Sequence, residues 1–291
     1  MEWLENMNRA LNFIEDNLQG RTDYGKIACM ARCSVYHFQR MFTFMTDITL
    51  SEYIRRRKMT LAAFELQSSD IKIVDLALKY GYESPEAFSR AFQKLHGLAP
   101  TAVRGKGADI KAFPRISFQI QVKGVSEMNY KIVERPAFQV YGLEGVFDMK
   151  DDENLKTVPE FWRVNRENGK FAELLRSAGY PSSVNAVCGY RELPGTEFVY
   201  MMCVVKTPLS DTAGYTVADV PTSTWAIFTN EPHEFEETPQ KTQELIARVY
   251  TEWLPTANYE MIDGYDFEMY YTDKEGRFYE EVWFRVRRKK E

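Results

Sequence analysis

One nine-residue pattern occurs twice in the first third of the chain. Ser34 Val35 Tyr36 His37 Phe38 Gln39 Arg40 Met41 Phe42 is echoed by Ser84 Pro85 Glu86 Ala87 Phe88 Ser89 Arg90 Ala91 Phe92. Each copy opens on a serine able to cap a helix. Each carries an apolar pair for a buried face, Phe38 with Phe42 or Phe88 with Phe92, and an arginine between them on another face. That is one helix used twice.

What makes this more than a pair of amphipathic helices is what precedes each copy. Ile27 Ala28 to Ala31, and Val74 Asp75 Leu76 Ala77 to Gly81, read as short helices followed by a tight turn. That is the layout of a helix-turn-helix. Two such units on one chain can enter successive major grooves of B-DNA, about 34 Å apart.

A chain of 291 residues with 44% apolar content has room for about two domains with their own cores. No apolar run approaches the roughly 20 residues that span a bilayer. Met1 Glu2 Trp3 Leu4 Glu5 lacks the basic-then-apolar order of a signal peptide, so a cytoplasmic protein without a membrane partner is expected. Of the cysteines, Cys29 and Cys33 stand one helical turn apart without histidines at zinc-ligand spacing, which predicts core packing. No metal and no cofactor is assigned.

Through Ala108 there are about 15 basic against about 12 acidic residues, roughly +3, which leaves roughly −8 for the rest of a chain of net charge −5. The basic residues cluster at Arg55 Arg56 Arg57 Lys58. A run like this is a solvated helix face in one reading and a set of phosphate contacts in the other, and between two helix-turn-helix units both stand open.

From about Glu2 to Arg104 the chain resembles the DNA-binding domain of the AraC/XylS transcription regulators. The resemblance is carried by Ile27 Ala28, Ser34, His37 through Phe42, Glu52 Tyr53 Ile54 Arg57 Lys58 Met59, Asp75 Leu76 Ala77, Gly81 Tyr82 Glu83 Ser84, Phe88 through Phe92, and Gly97 Leu98 Ala99 Pro100. It implies seven helices, with a long one at about Leu50 to Gln67 joining the two units. It also implies that exposed residues of the third and sixth helices touch DNA. By position these are Tyr36, Gln39 and Arg40 in the first copy and Ser84, Glu86, Ser89 and Arg90 in the second. Guanidinium suits guanine edges and a carboxamide suits adenine, each for about 1 to 3 kcal/mol of discrimination. Where the family often has glycine in the first turn, this chain has Arg32 beside Cys33, which predicts a differently shaped turn.

Around Gly105 Lys106 Gly107 to Pro114 the helical pattern stops. The expected organisation is a helical domain over 1–106, a linker over 107–116 and a second domain over 117–291. Phe118, Ile120 and Val122 alternate with polar residues like a half-buried strand. Beyond them a repeat of about 85 residues appears. Tyr130 to Ala137 runs into Val140 to Leu143, a helix, and strands at Asn185 to Arg191 and Glu197 to Val205. Tyr215 to Thr222 runs into Trp225 to Phe228, a helix, and strands at Phe267 to Tyr271 and Glu281 to Arg287. Val158, Phe161, Trp162, Leu174 and Leu175 fit one amphipathic helix; Leu245, Ile246, Val249, Tyr250 and Trp253 fit the other, ended by Pro255. The helices are expected on one sheet face, leaving the other for a ligand.

From about Tyr130 to Val286 the chain resembles the GyrI-like effector-binding domains, on Val158 Pro159 Glu160 Phe161 Trp162, Gly189 Tyr190, Phe198 Val199 Tyr200, Val220 Pro221 to Phe228, Glu252 Trp253 Leu254 Pro255 and Phe267 Glu268 Met269 Tyr270. The domain order is that of Rob-like regulators. The expected fold is therefore multidomain, α and α+β: an all-α double helix-turn-helix domain, then two β-α-β-β-type repeats around a cleft. Strand alternation sets Glu268 and Tyr270 opposite Phe267, Met269 and Tyr271. A cleft carboxylate among aromatic rings attracts organic cations, by about 0.5 to 2 kcal/mol per ring. The resemblance gives Glu268 that role, with Trp162, Tyr190, Tyr200 and Trp225 as aromatic candidates.

Together these readings give a transcription regulator that binds promoter DNA, its DNA occupancy or RNA polymerase contact changed by a small amphipathic or cationic effector. No catalytic residue is assigned. Two alternatives are a hydrolase built on Tyr200 or Tyr190 with Glu268, and a module that sequesters a protein partner.

Overall fold

The computed structural model describes residues 2–104, 108–119, 127–150 and 153–289. Its contacts fall into two compact units, Met1–Val35 with Ile48–Gln119, and Tyr36–Asp47 with Ile120–Glu291. The helices before residue 100 are α1 (Glu2–Asp16), α2 (Tyr24–Ala31), α3 (Val35–Thr46), α4 (Leu50–Ser68), α5 (Ile73–Lys79) and α6 (Pro85–His96), followed by a 3-10 turn at Pro100–Arg104. All but α3 pack in the first unit.

In that unit α4 starts at Thr49, whose hydroxyl accepts from the Glu52 amide, and α6 starts at Ser84, whose hydroxyl accepts from the Ala87 amide at 3.1 Å. The apolar stripes of α4, α5 and α6 close one core, with Met59, Ala62 and Leu66 against Leu76, Tyr80, Phe88, Phe92 and Leu95. The two helix-turn-helix turns share one backbone pattern. Arg32 N–H donates to Cys29 O and Cys33 N–H to Ala28 O; Gly81 N–H donates to Leu78 O and Tyr82 N–H to Ala77 O. Arg32 takes the left-handed conformation, φ 59°, where the second copy has Gly81 at φ 79°. The differently shaped turn expected at Arg32 is thus absent: arginine adopts the glycine conformation. Cys29, expected in the core, is exposed.

The basic run of α4 is used internally. Arg55 and Arg56 both pair with Glu52 on their own helix. Arg57 grips Glu15 of α1 at 2.8 Å, and the Lys58 ammonium donates to the carbonyls of Gly20 and Tyr80 at 2.7 and 3.1 Å. Arg57 and Lys58 are thus engaged in this unit's own packing. Residues 108–119 carry no regular secondary structure, so Phe118 is not in a strand; Ile120 and Val122, like Gly105, Lys106 and Gly107, lie outside the described residues. Side chains of the unit pin the segment instead, through Asn8 to Phe118 and Thr60 to Phe113.

His96, buried at the end of α6, packs against Phe92 with ring centroids 4.3 Å apart and lies 3.2 Å from the Met59 carbonyl. Burial holds its pKa below the ordinary 6.5. The unfolded chain therefore takes up this proton first, so His96 lowers stability as pH falls through 6.5. Urea unfolding followed by helical circular dichroism should show lower stability at about pH 5.5 than at about pH 7.5. The part of that slope due to His96 should vanish in His96→Gln; an unchanged slope contradicts the assignment.

The second unit is built on one antiparallel sheet of β1 (Asn129–Arg135), β2 (Phe138–Asp148), β3 (Asn185–Cys188), β4 (Glu197–Val205), β5 (Thr216–Val220), β6 (Ser223–Thr229), β7 (Tyr259–Met261), β8 (Asp266–Thr272) and β9 (Phe278–Arg288). Its order is β1-β6-β9-β8-β3-β4-β2-β5, with β7 beside β9. The two repeats are legible in this order, because each lends its first strand to the other's edge. β1 pairs with β6, β5 pairs with β2, and β3 and β8 meet at the centre.

The helix expected from Val158 to Leu175 is two, α7 (Asn154–Glu167) and α8 (Lys170–Ser177), separated at Gly169 with φ 85°. The other is α9 (Thr238–Arg248), continued by a π-helical turn at Val249–Trp253. Leu174, Phe161 and Trp162 pack with Tyr141, Phe147, Phe198 and Tyr200. Tyr250 and Trp253 pack on Phe284 and Phe228. Register puts all these strand residues on the face of Glu268, which stands opposite Val282, itself opposite Phe228. The helices thus cover the Glu268 face, and the expectation of a ligand face free of helices is overturned.

Candidate functional site

Strand β8 presents Asp266, Glu268 and Tyr270 on the helix-bearing face. Phe267 and Met269 enter the opposite core with Trp225, Ile227 and Trp283. The Tyr270 hydroxyl donates to Glu268 at 2.9 Å. The Tyr270 ring meets Trp162 edge-on at 5.9 Å, and Trp162 Nε1 donates to the Tyr200 hydroxyl at 2.8 Å. Two carboxylates and three aromatic side chains thus converge near the middle of the sheet.

Of the expected ligand residues, Glu268, Trp162 and Tyr200 come together, and Tyr190 and Trp225 do not. Simple alternation would carry Tyr190 to the face of Cys188, but Gly189 at φ 68° turns the chain. Tyr190 then packs in the opposite core beside Tyr265, where its hydroxyl donates to Glu144. Trp225 is fully buried in that same core, since its neighbour Ala226 takes the helix face opposite Phe284. Asp266 went unnoticed as a site residue, although its place two residues before Glu268 sets it on the same face.

The centre of the site is occupied by α3. Arg40 Nη1 donates to Asp266 Oδ2 at 3.0 Å, to Cys188 Sγ at 3.0 Å and to the Tyr36 hydroxyl at 2.9 Å; Nη2 donates to Glu268 Oε1 at 3.2 Å. The Tyr36 hydroxyl donates in turn to Cys188 Sγ at 2.9 Å, and its ring lies 4.7 Å from that of Phe198. Farther along α3, Phe44 stacks on Tyr250 at 6.1 Å. The ion pair is nearly dry, with side-chain exposures of 8% for Arg40 and 5% for Asp266.

Burial works against both charges of that pair. It disfavours the Arg40 guanidinium, yet the Arg40 pKa stays well above its ordinary value, with the Asp266 carboxylate among the groups that raise it. It pushes the Asp266 carboxyl up, against the pull of Arg40. Burial also raises the Cys188 thiol to about 12, so the sulfur accepts hydrogen bonds as a neutral thiol. Tyr200 and Tyr270 are held well above the ordinary phenol range, first by burial and then by the charge of Glu268.

The two copies of the duplicated helix therefore differ in a way the sequence did not announce. Glu86 and Arg90 of α6 are exposed, Ser89 is half-buried, and the Ser84 hydroxyl caps its own helix. Gln39 and Arg40 of α3, expected on an exposed face, are buried. For Arg40 the cause is the carboxylate pair. Gln39 Nε2 has no hydrogen-bond partner among the described residues.

Among the described residues no group of three or more His, Cys, Asp or Glu is placed to hold a metal ion, and no helix is long and apolar enough to cross a membrane. Residues 128–287 match the GyrI-like small molecule binding domain, and residues 27–106 match a helix-turn-helix domain. The transcriptional activator AarP of Providencia stuartii is 36% identical over 98 residues, covering 34% of this chain and 73% of AarP. The multiple antibiotic resistance protein MarA of Escherichia coli is 38% identical over 98 residues, covering 34% of this chain and 77% of MarA. The structure of SAV2435 bound to tetraphenylphosphonium aligns over 55% of this chain and 94% of its own, with a TM-score of 0.45 and 17% identity. With one domain matched to each half, the chain belongs to the AraC-type DNA-binding transcription regulators that carry a GyrI-like small-molecule-binding domain.

Proposed function

We propose that the effector of this regulator is an organic cation held by Glu268 and Asp266 among Trp162, Tyr200 and Tyr270. We further propose that Tyr36, Gln39 and Arg40 of α3 and Ser84, Glu86, Ser89 and Arg90 of α6 are its DNA-facing residues. The observation that carries the cation reading is the acid pair itself, two carboxylates on one strand face that already hold a guanidinium. The step under control is DNA occupancy or contact with RNA polymerase. Catalysis forms no part of this reading. The Tyr200 hydroxyl accepts from Trp162 and is held far from ionisation, while Tyr190 packs on the face opposite Glu268.

Titration calorimetry with tetraphenylphosphonium, a permanently charged aromatic cation, tests the site. Glu268→Gln keeps the shape and removes a charge in a largely dry setting, so affinity should fall by about ten- to a hundredfold. Binding unchanged by Glu268→Gln would place the ligand elsewhere.

A further inference from the structure

We propose that Arg40 is a built-in occupant of the cation site, and that a free guanidinium or amidinium ligand bearing an aromatic ring competes with it. Ligand entry then unseats α3 and frees its side chains for DNA. This rests on the Glu268 reading above and adds the ligand class and the means of regulation.

Three observations carry it. The acceptors match a planar fork: Asp266 and Cys188 take one terminal nitrogen of Arg40 and Glu268 takes the other. Next to that fork lies a seat for a ring. Tyr36 packs against Phe198 and lies so close over Gly189 that a Cβ there would stand 3.1 Å from its ring. Arginine and tyrosine one turn apart on α3 thus trace the outline of an arylalkyl guanidine. Finally, these two residues and Gln39 are the ones the AraC-type pattern turns toward DNA, and one guanidinium cannot hold Asp266 and a guanine edge together. The buried Gln39 Nε2, without a hydrogen-bond partner among the described residues, makes this seat an imperfect one for α3, since an unmade hydrogen bond disfavours the buried state.

A competitor inside the protein weakens apparent affinity by the fraction of sites left open, so a helix seated 90 to 99% of the time costs about ten- to a hundredfold. Benzylguanidinium, titrated calorimetrically into the full chain, should bind Arg40→Ala at least about tenfold more tightly than the parent. Unchanged or weaker binding by Arg40→Ala overturns the competition. The cation site survives that result if Glu268→Gln still weakens binding by about tenfold or more; if neither the parent nor Arg40→Ala binds, the site reading falls as well. Hydrogen exchange on the parent chain gives a readout that needs no variant. Benzylguanidinium should speed exchange of the α3 amides while neutral benzylurea does not, and protection of α3 by the cation would show that ligand and helix bind together.

Discussion

Arg57→Ala should destabilise the helical unit by about 3 to 5 kcal/mol, because it strands a buried carboxylate. Arg57 Nε lies 2.9 Å from Glu15 Oε1 and Nη2 lies 2.8 Å from Oε2, while Nη1 donates to the Phe113 carbonyl at 2.6 Å. Tyr53 donates to the same carboxylate at 2.6 Å. Side-chain exposures of 11% for Arg57 and 6% for Glu15 leave little water to take over. Burial alone would raise the Glu15 carboxyl, and the hydrogen bonds from Arg57 and Tyr53 hold it below its ordinary range. Without Arg57, Glu15 must ionise in a dry place or take up a proton, and residues 108–119 lose an anchor. Urea unfolding followed by circular dichroism measures the loss. The double variant Arg57→Met with Glu15→Leu should recover most of it, since two well-packed apolar side chains leave no charge to solvate. A loss below about 1 kcal/mol in Arg57→Ala would mean the pair behaves like a surface ion pair.

That ion pair also shows where sequence reasoning stops. Four consecutive basic residues, Arg55 to Lys58, look alike as letters and have three different fates, and the partners that decide them, Glu52, Glu15 and the carbonyls of Gly20 and Tyr80, lie up to 42 residues away. Periodicity tells which face of a helix is apolar. It does not tell which acid a base will meet.

The β half was legible for a complementary reason. Alternation is a local property, so strand positions and the opposite phases of Phe267 and Glu268 could be read off directly. Which face the helices would cover is a global property, and it went against expectation. Two departures from regularity decided the rest: Gly189 turns Tyr190 away from the cleft, and Gly169 splits one amphipathic stretch into α7 and α8. The family resemblances singled out Arg40 and Glu268 in their two halves. Nothing local could say that they touch, since 228 residues separate them. The ion pair fixes α3 to the sheet within the second unit.

Gly81→Ala should cost about 2 to 4 kcal/mol, combining a left-handed backbone that L-residues disfavour with an overpacked contact. Gly81 has φ 79°, and a Cβ built on it would stand 2.2 Å from the Gly20 carbonyl oxygen. That oxygen belongs to backbone fixed on both sides, by the amide of Gly20 donating to Lys79 O at 2.8 Å and by the Lys58 ammonium at 2.7 Å. It cannot retreat the way a side-chain end could. The equivalent position in the first copy already holds Arg32 at φ 59°, so the backbone preference by itself is evidently tolerable in this turn. Arg32→Gly should therefore change stability by no more than about 1 kcal/mol. Urea unfolding of the two variants separates conformation from contact. If Gly81→Ala were as mild as Arg32→Gly, the Gly20 carbonyl would have to yield, and the second turn would owe its glycine to nothing beyond φ. If Gly81→Ala is severe, glycine is dispensable in one copy and required in the other because backbone crowds only the second.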